Sequence, residues 1–413
     1  MKIAFLVPDN RENFRRYELA DPYFGTAPAA LLDGFASLAN QADAPEIHVI
    51  SCAQKRIPAP KKLASNIWFH SLHVPKAGWL RSGYLGCAFA VRKKLREIHP
   101  DLVHAQGTER DCAISAILSP YPKILTIHGN LRLIKKQVGF RPFSAMWLQS
   151  YLEGFSVPRF DGVICITNYT KNAIEHEVPK TWVVPNAVDP SFLALGEKRM
   201  RRHEVKSSEI NDSGFRSQVS GLESPPVILC VANVDHRKNQ NAFIKALDPL
   251  AQSMSFEVRF FGSCPDDEYG REFQRMVSER PWCHYGGMIG RGELKQEMGG
   301  ASLLMLPTLE DNCPMVVLEA MAAGVPVIAS KVGGIPDLIE DGISGLLCTP
   351  ARPKEFAAAL ARILDDPRYR KEMAGRAAHE ATVKFHPLLI AKKHMEIYSE
   401  IAGYVSPAKV DAC

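Results

Sequence analysis

Short runs of apolar and β-branched residues recur along the chain, separated by segments of helical length. In the first half the runs are residues 3–7, 47–51, 102–104, 124–127 and 163–166, and helices are expected over 29–38, 90–98 and 170–176. A strand buried on both faces reads as a continuous apolar run, so this pattern predicts a parallel sheet with helices on both sides. The pattern breaks after Leu195. Residues 196–226 are polar and charged with little periodicity, which reads as a linker or mobile insertion between domains. Alternation then resumes with runs at 227–231, 258–261, 303–306 and 325–329, and with helices over 239–250, 294–298 and 315–323. The end is helical over 354–364, 368–384 and 388–402. Two α/β domains facing across a cleft fit better than one sheet, and ligands of such sheets bind at the carboxyl ends of the strands.

The length of 413 residues agrees with two substantial domains. No apolar run reaches the roughly 18 residues of a membrane span. The first apolar stretch is stopped by Pro8-Asp9 and reads as a buried strand rather than a signal peptide. Ten cysteines lie far apart with no C-x-x-C pair, which suggests buried thiols in a reducing cytoplasm rather than a zinc ribbon or a disulfide framework. A net charge of +5 is too mild to indicate nucleic acid. The sequence has no D-x-D pair and no His/Cys cluster at metal-ligand spacing, so no metal is expected. Neither a G-x-G-x-x-G nor a P-loop is present, which argues against dinucleotide and ATP enzymes, and no cofactor is expected.

The segment from Leu306 to Ser330 is the richest in chemistry. A strand ends at Leu306, a polar loop follows, and a helix opens near Met315. Pro314 suits the first helical position and Gly324 the C-terminal cap. Amides at such a helix start can receive a phosphate. Glu319, one turn inside, and Glu310 and Asp311, in the loop, are placed to accept hydrogen bonds from ligand hydroxyls. Each carboxylate alone is commonplace on a protein surface; the constellation carries the signal.

The string from Asp311 to Gly324, followed by Val325-Pro326-Val327, is similar to the E-x7-E segment of the GT4 family of retaining GT-B glycosyltransferases. Thr126-Ile127-His128-Gly129, the segment from Val184 to Asp189, Lys238, the Val332-Gly333-Gly334 segment and the Asp341-Gly342 segment resemble family segments in the same order. The resemblance implies a GT-B fold of two Rossmann-like α/β/α domains. Its partners would be a nucleotide-sugar donor, with UDP or GDP as the base-bearing part, and a carbohydrate or lipid-linked acceptor. Glu319 matches the glutamate that binds the ribose hydroxyls, and Lys238 the lysine that neutralises the diphosphate. His128 matches the histidine beside the transferred sugar, and Asp311 stands where the family has its first glutamate, with Glu310 as its neighbour. Asn312, Cys313, Pro314, Met315 and Val316 match the loop whose amides meet the diphosphate. Gly25 and Thr26 fall at the glycine-containing first loop, and Gly262 and Ser263 near the nucleoside pocket. Asn233 replaces an arginine common in the family, and Arg237 is a nearby source of positive charge.

These matches divide the chain into an acceptor-binding domain (1–195), the linker (196–226), a donor-binding domain (227–386) and a C-terminal helix (387–413) that crosses back to the first domain. The expected reaction is a metal-independent, retaining transfer to a hydroxyl in glycan or glycoconjugate synthesis. The alternative among enzymes is a GT-B sugar-nucleotide epimerase or hydrolase, which would form product without any acceptor, and Asn233 and Asp311 keep open a catalytically silent nucleotide-sugar-binding protein. His104 is a candidate for the cleft or for a structural role, Asn168, Tyr169 and Thr170 for a helix start, and Arg291 and Glu293 for the base. Basic and apolar residues at 133–141 and 146–148 are a candidate contact with an anionic membrane, peripheral to a cytoplasmic protein.

Overall fold

A computed structural model describes residues 1–212 and 225–403. The chain forms two compact units: Met1–Ala187 together with the segment beginning at His386, and Val188–Phe385.

The first unit holds β1 (Lys2–Leu6), β2 (Glu46–Ala53), β3 (Lys62–Ala64), β4 (Ile67–His73), β5 (Leu102–Gln106), β6 (Lys123–Ile127), β7 (Gly162–Cys165) and β8 (Thr181–Val183). They form one sheet in the order β3-β4-β2-β1-β5-β6-β7-β8, parallel except for β3 against β4. Successive residues of β1 serve opposite faces. Ala4 and Leu6 enter one core with Val91 and Leu95, while Ile3 and Phe5 enter the other with Leu31, Phe35 and Ile390. Burial on both faces is the physical cause of the unbroken apolar runs. Helix Pro387–Ala402 packs on helix Thr26–Ala36 within this unit. A Cβ at Gly34 would lie 2.2 Å from the Pro387 carbonyl oxygen, so the approach requires glycine.

The second unit holds β9 (Val227–Val231), β10 (Glu257–Phe261), β11 (Cys283–Tyr285), β12 (Leu303–Leu306), β13 (Val327–Ser330) and β14 (Leu346–Cys348). All are parallel, in the order β11-β10-β9-β12-β13-β14. In each sheet the strand order reverses once near the middle, at β1/β5 and at β9/β12. Such reversals open a crevice at the carboxyl ends of the strands, where ligands bind.

The expected linker needs correction. Residues 196–212 belong to helix Pro190–Asp212, and the boundary between units falls at Val188 instead of after Leu195. Phe192, Leu193 and Gly196 are buried, and Arg199 and Met200 half-buried, at the three-to-four-residue spacing of a helical stripe. A Cβ at Gly196 would lie 2.0 Å from the Ala322 carbonyl oxygen, so a glycine that looked like loop composition is a helix-crossing point. Residues 213–224 of that call lie outside the described residues. The sequence pattern also passed over β3, β4, β8, β11 and β14, four of which have only three residues.

Candidate active site

Apart from Gly25 and Thr26, which open the second helix after β1, the residues singled out from the sequence as catalytic or substrate-binding follow the carboxyl end of a strand or sit on the next helix. In the second unit, β12 runs into the loop 307–314 and helix Met315–Ala322. Pro314 occupies the N-cap, one place earlier than expected, and the helix ends ahead of Gly324 at φ +63°. The loop is locked from below. Thr308 Oγ1 and the Leu309 amide donate to the Arg237 carbonyl, at 3.1 and 2.7 Å. The Gly334 amide donates to the Asp311 carbonyl at 3.0 Å. A Cβ at Gly333, φ +55°, would lie 1.9 Å from that oxygen, which explains the paired glycines of the Val332 segment.

Two cation–carboxylate pairs stand on this loop. Lys238 Nζ pairs with Asp311, and Arg237 Nη1 with Glu310 at 3.3 Å. Lys238 closes a single turn, His236–Lys238, whose Asp235 side chain accepts from the Lys238 amide at 2.9 Å. Glu310 is buried beside Asp311, and burial pushes its carboxyl above the usual range. Asn312 and Met315 stay half-buried, as does Val316, while Cys313 and Pro314 are buried.

Glu319, inside the helix, is only 3% exposed. Burial raises its carboxyl to about 7, against the opposing charge of Arg291. Arg291 Nη2 lies 3.5 Å from Glu319 and 2.8 Å from Asp189. Arg291 thus bridges two carboxylates contributed by segments 130 residues apart in sequence, which spacing alone could not reveal. Glu293 instead caps its own helix, accepting from the Gly290 amide at 2.8 Å. Asn233 Oδ1 accepts from Ser263 Oγ at 2.9 Å, so Asn233, Gly262 and Ser263 meet where β9 and β10 end. Gly262, at φ +143°, is pressed against the backbone of Ala232.

In the first unit Gly25 is the N-cap of helix Thr26–Ala36. His128 follows β6 and donates through Nε2 to Gln106 Oε1 at 2.8 Å. The side chain of Asn186 also bonds it. Burial, with His394 nearby, lowers His128 to about 4, so the ring is neutral at physiological pH. His104 takes the structural role: it is fully buried, with Nδ1 2.6 Å from the Tyr398 hydroxyl and Nε2 2.8 Å from Thr126 Oγ1. Thr167 rather than Asn168 caps the helix Asn168–Ile174.

Two carboxylates here escaped the sequence reading. Glu153, fully buried, accepts from Thr108 Oγ1 at 2.6 Å and from the amides of Leu131 and Arg132, both at 3.1 Å. Glu109 rests over Gly107 and Gly129, and burial raises it to about 7. The fold also gathers Cys52, Cys87 and Asp111, whose ligand-type atoms all lie within 4.8 Å of one another. Linear spacing hid this cluster. Cys52 is hydrogen-bonded to Cys87 and Asp111, and the bond to Cys87 together with burial holds its thiol well above the ordinary range.

Two parallel sheets, each with ligand-type residues gathered at its carboxyl edge, define a pair of Rossmann-like domains, the GT-B class. Family models agree. Residues 36–192 match Glycosyltransferase Family 4, and residues 225–366 match Glycosyl transferases group 1. Covered by these two models over most of its length, the chain belongs to the GT4 (group 1) glycosyltransferase family. It is 23% identical to alpha-D-kanosaminyltransferase of Streptomyces kanamyceticus over 86% of this chain and 94% of that protein. Identity to the sulfoquinovosyl transferase SQD2 of Arabidopsis thaliana is 27%, over 50% of this chain and only 41% of that protein. Among solved structures, sucrose-phosphate synthase from Thermosynechococcus elongatus superposes with a TM-score of 0.73 at 18% identity, covering 98% of this chain and 100% of that one. HepE of Anabaena, solved with UDP-glucose, gives 0.64 at 18% identity, covering 97% of this chain and 100% of that one.

Proposed function

We propose that this chain transfers a sugar from a nucleotide-diphosphate sugar, UDP- or GDP-linked, to a hydroxyl acceptor with retention of anomeric configuration and without a metal ion. The observation that carries the reading is the pair of cations, Lys238 and Arg237, held by Asp311 and Glu310 at the start of helix Met315–Ala322. Cleaving a sugar–phosphate bond builds positive charge on the anomeric carbon and negative charge on the departing diphosphate. Fixed cations and a helix N-terminus stabilise that diphosphate with little reorganisation. A diphosphate would compete with Asp311 for Lys238 and supply the charge that a divalent ion supplies elsewhere. Glu319 would accept from ribose hydroxyls once ionised. His128, being neutral, would act by hydrogen bonding to the transferred sugar rather than as a charged acid.

Two features speak to the rest of the chain's work. The first unit would hold the acceptor. Its groove of Arg132, Lys135, Lys136, Tyr151, Phe155 and Arg159, with Phe143 89% exposed nearby, would meet an anionic membrane surface carrying a lipid acceptor. No helix among the described residues is long and apolar enough to cross a membrane.

The test is calorimetric titration with UDP-, GDP- and ADP-sugars followed by turnover assays. Lys238→Ala and Glu319→Ala should each lose about tenfold to a hundredfold in donor affinity or turnover, the effect of one charge-assisted hydrogen bond. His128→Ala should lower turnover more than donor binding. Variants indistinguishable from the parent on a donor that the parent binds would refute the assignment. Product formed without any acceptor would favour an epimerase or hydrolase.

A further inference from the structure

A chain of neutral polar groups lies behind His128. Gln106, which accepts from His128, donates through Nε2 to His104 Nε2 at 2.9 Å, and His104 reaches the Tyr398 hydroxyl on helix Pro387–Ala402. One turn earlier on the same helix stands His394, 3% exposed. Its Nδ1–H donates to the Ile390 carbonyl at 2.8 Å, which leaves Nε2 as a pure acceptor. Nε2 is buried and, among the described residues, has no donor within hydrogen-bond distance. A buried acceptor left so is destabilising unless a water molecule donates to it.

His394 lines a cavity with a water-accessible volume of about 10 Å³, bounded on its polar side by His128, Gln106, Thr126 and Asn186. That is close to the smallest space that holds one water molecule, and a buried water needs two to four polar partners. Burial lowers both His394 and His128 to about 4, so the two rings meet the cavity uncharged.

We propose that His394 is a positioning residue for His128, acting through a single water molecule that sits in this cavity, donates to His394 Nε2 and bonds the His128–Asn186 pair. Gln106 Oε1, an acceptor only, sets the tautomer of His128, and the water holds its ring plane beside Asn186 before substrate arrives. The C-terminal helix thereby reaches the transfer site without touching substrate. The catalytic meaning of this contact rests on the proposed role of His128; the contact itself does not.

The test uses the full chain labelled with 15N-histidine, comparing the parent, His394→Leu and His394→Gln. Expected are displaced His128 ring-nitrogen resonances in the leucine variant and a fall of about tenfold in kcat, the scale of one lost buried hydrogen bond. KM for donor should be unchanged, and the glutamine variant, which keeps an acceptor, should recover most of the rate. Unmoved His128 resonances in the leucine variant overturn the proposal, as does a parent His394 Nε2 signal typical of a nitrogen without a hydrogen bond. The second readout needs no variant to fold. Moved resonances with unchanged kcat uphold the positioning contact and overturn instead the catalytic reading of His128.

Discussion

Glu319 and His128 lie in different units, yet the same condition governs both: each ionisable group is taken out of water, and each is pushed toward its neutral form. For Glu319 this has a consequence for stability. Its carboxyl is held at about 7 in the folded chain against an ordinary 4.5, so between those values the folded state binds more protons than the unfolded one. Stability contributed by this group therefore falls as pH rises from 4.5 to 7, and the full penalty, on the order of 3 kcal/mol, applies above 7. Glu319→Gln removes it. The melting temperature of this variant, measured by calorimetry, should fall less between pH 5 and pH 8 than that of the parent, although donor affinity is reduced. An equal fall in both proteins would contradict this. Glu319 could be picked out by its spacing from Asp311, but not its charge state, because its burial, and the approach of Arg291 and Asp189, arise only through the tertiary fold.

At the scale of elements, the loop 307–314 shows why the family segments occur together. Residues 307–314 have little regular structure of their own, and their shape is imposed by the Arg237 carbonyl below and Gly333-Gly334 beside them. Gly333→Ala should press a Cβ onto the Asp311 carbonyl in a left-handed backbone conformation, costing roughly 1–3 kcal/mol. Displacement of Asp311 and its lysine partner should then weaken donor binding by about tenfold or more. Wild-type donor affinity in a folded Gly333→Ala variant would show that the loop holds its shape without this contact. The strands and helices with strong apolar periodicity were legible from the sequence to within a few residues. Helix Pro190–Asp212 was not, since its buried stripe is short and two of its members are Gly196 and Arg199, which no hydropathy pattern counts as core. The three-residue strands are too brief for any period to show.

At the scale of the whole molecule, the first unit is discontinuous: it is completed by a helix that arrives only after the second unit has been traversed. Gly34→Ala should disrupt the seat of that helix by forcing the Pro387 carbonyl away, exposing apolar surface at Phe35 and Ile390. Its loss of about 2–3 kcal/mol should appear in the unfolding of the first unit. A bound nucleotide sugar should instead stabilise the second unit, by about 2.7 kcal/mol at a hundredfold excess over Kd. Site-specific hydrogen exchange distinguishes the two. Protection gained on donor addition should concentrate at residues 188–385, and protection lost in Gly34→Ala should concentrate at residues 1–187. Uniform changes across both units would argue that they unfold as one.

The sequence by itself determined the two parallel sheets, because strands buried on both faces must be apolar throughout. It also marked the loops where the candidate site residues gather, because tight turns and helix starts restrict which residues can occupy them. Tertiary structure alone decided where the units divide, which carboxylates are taken out of water, and which partners hold the cations. It also placed His394 behind His128. These are consequences of desolvation and of contacts between residues far apart in the chain, and neither leaves a local pattern to read.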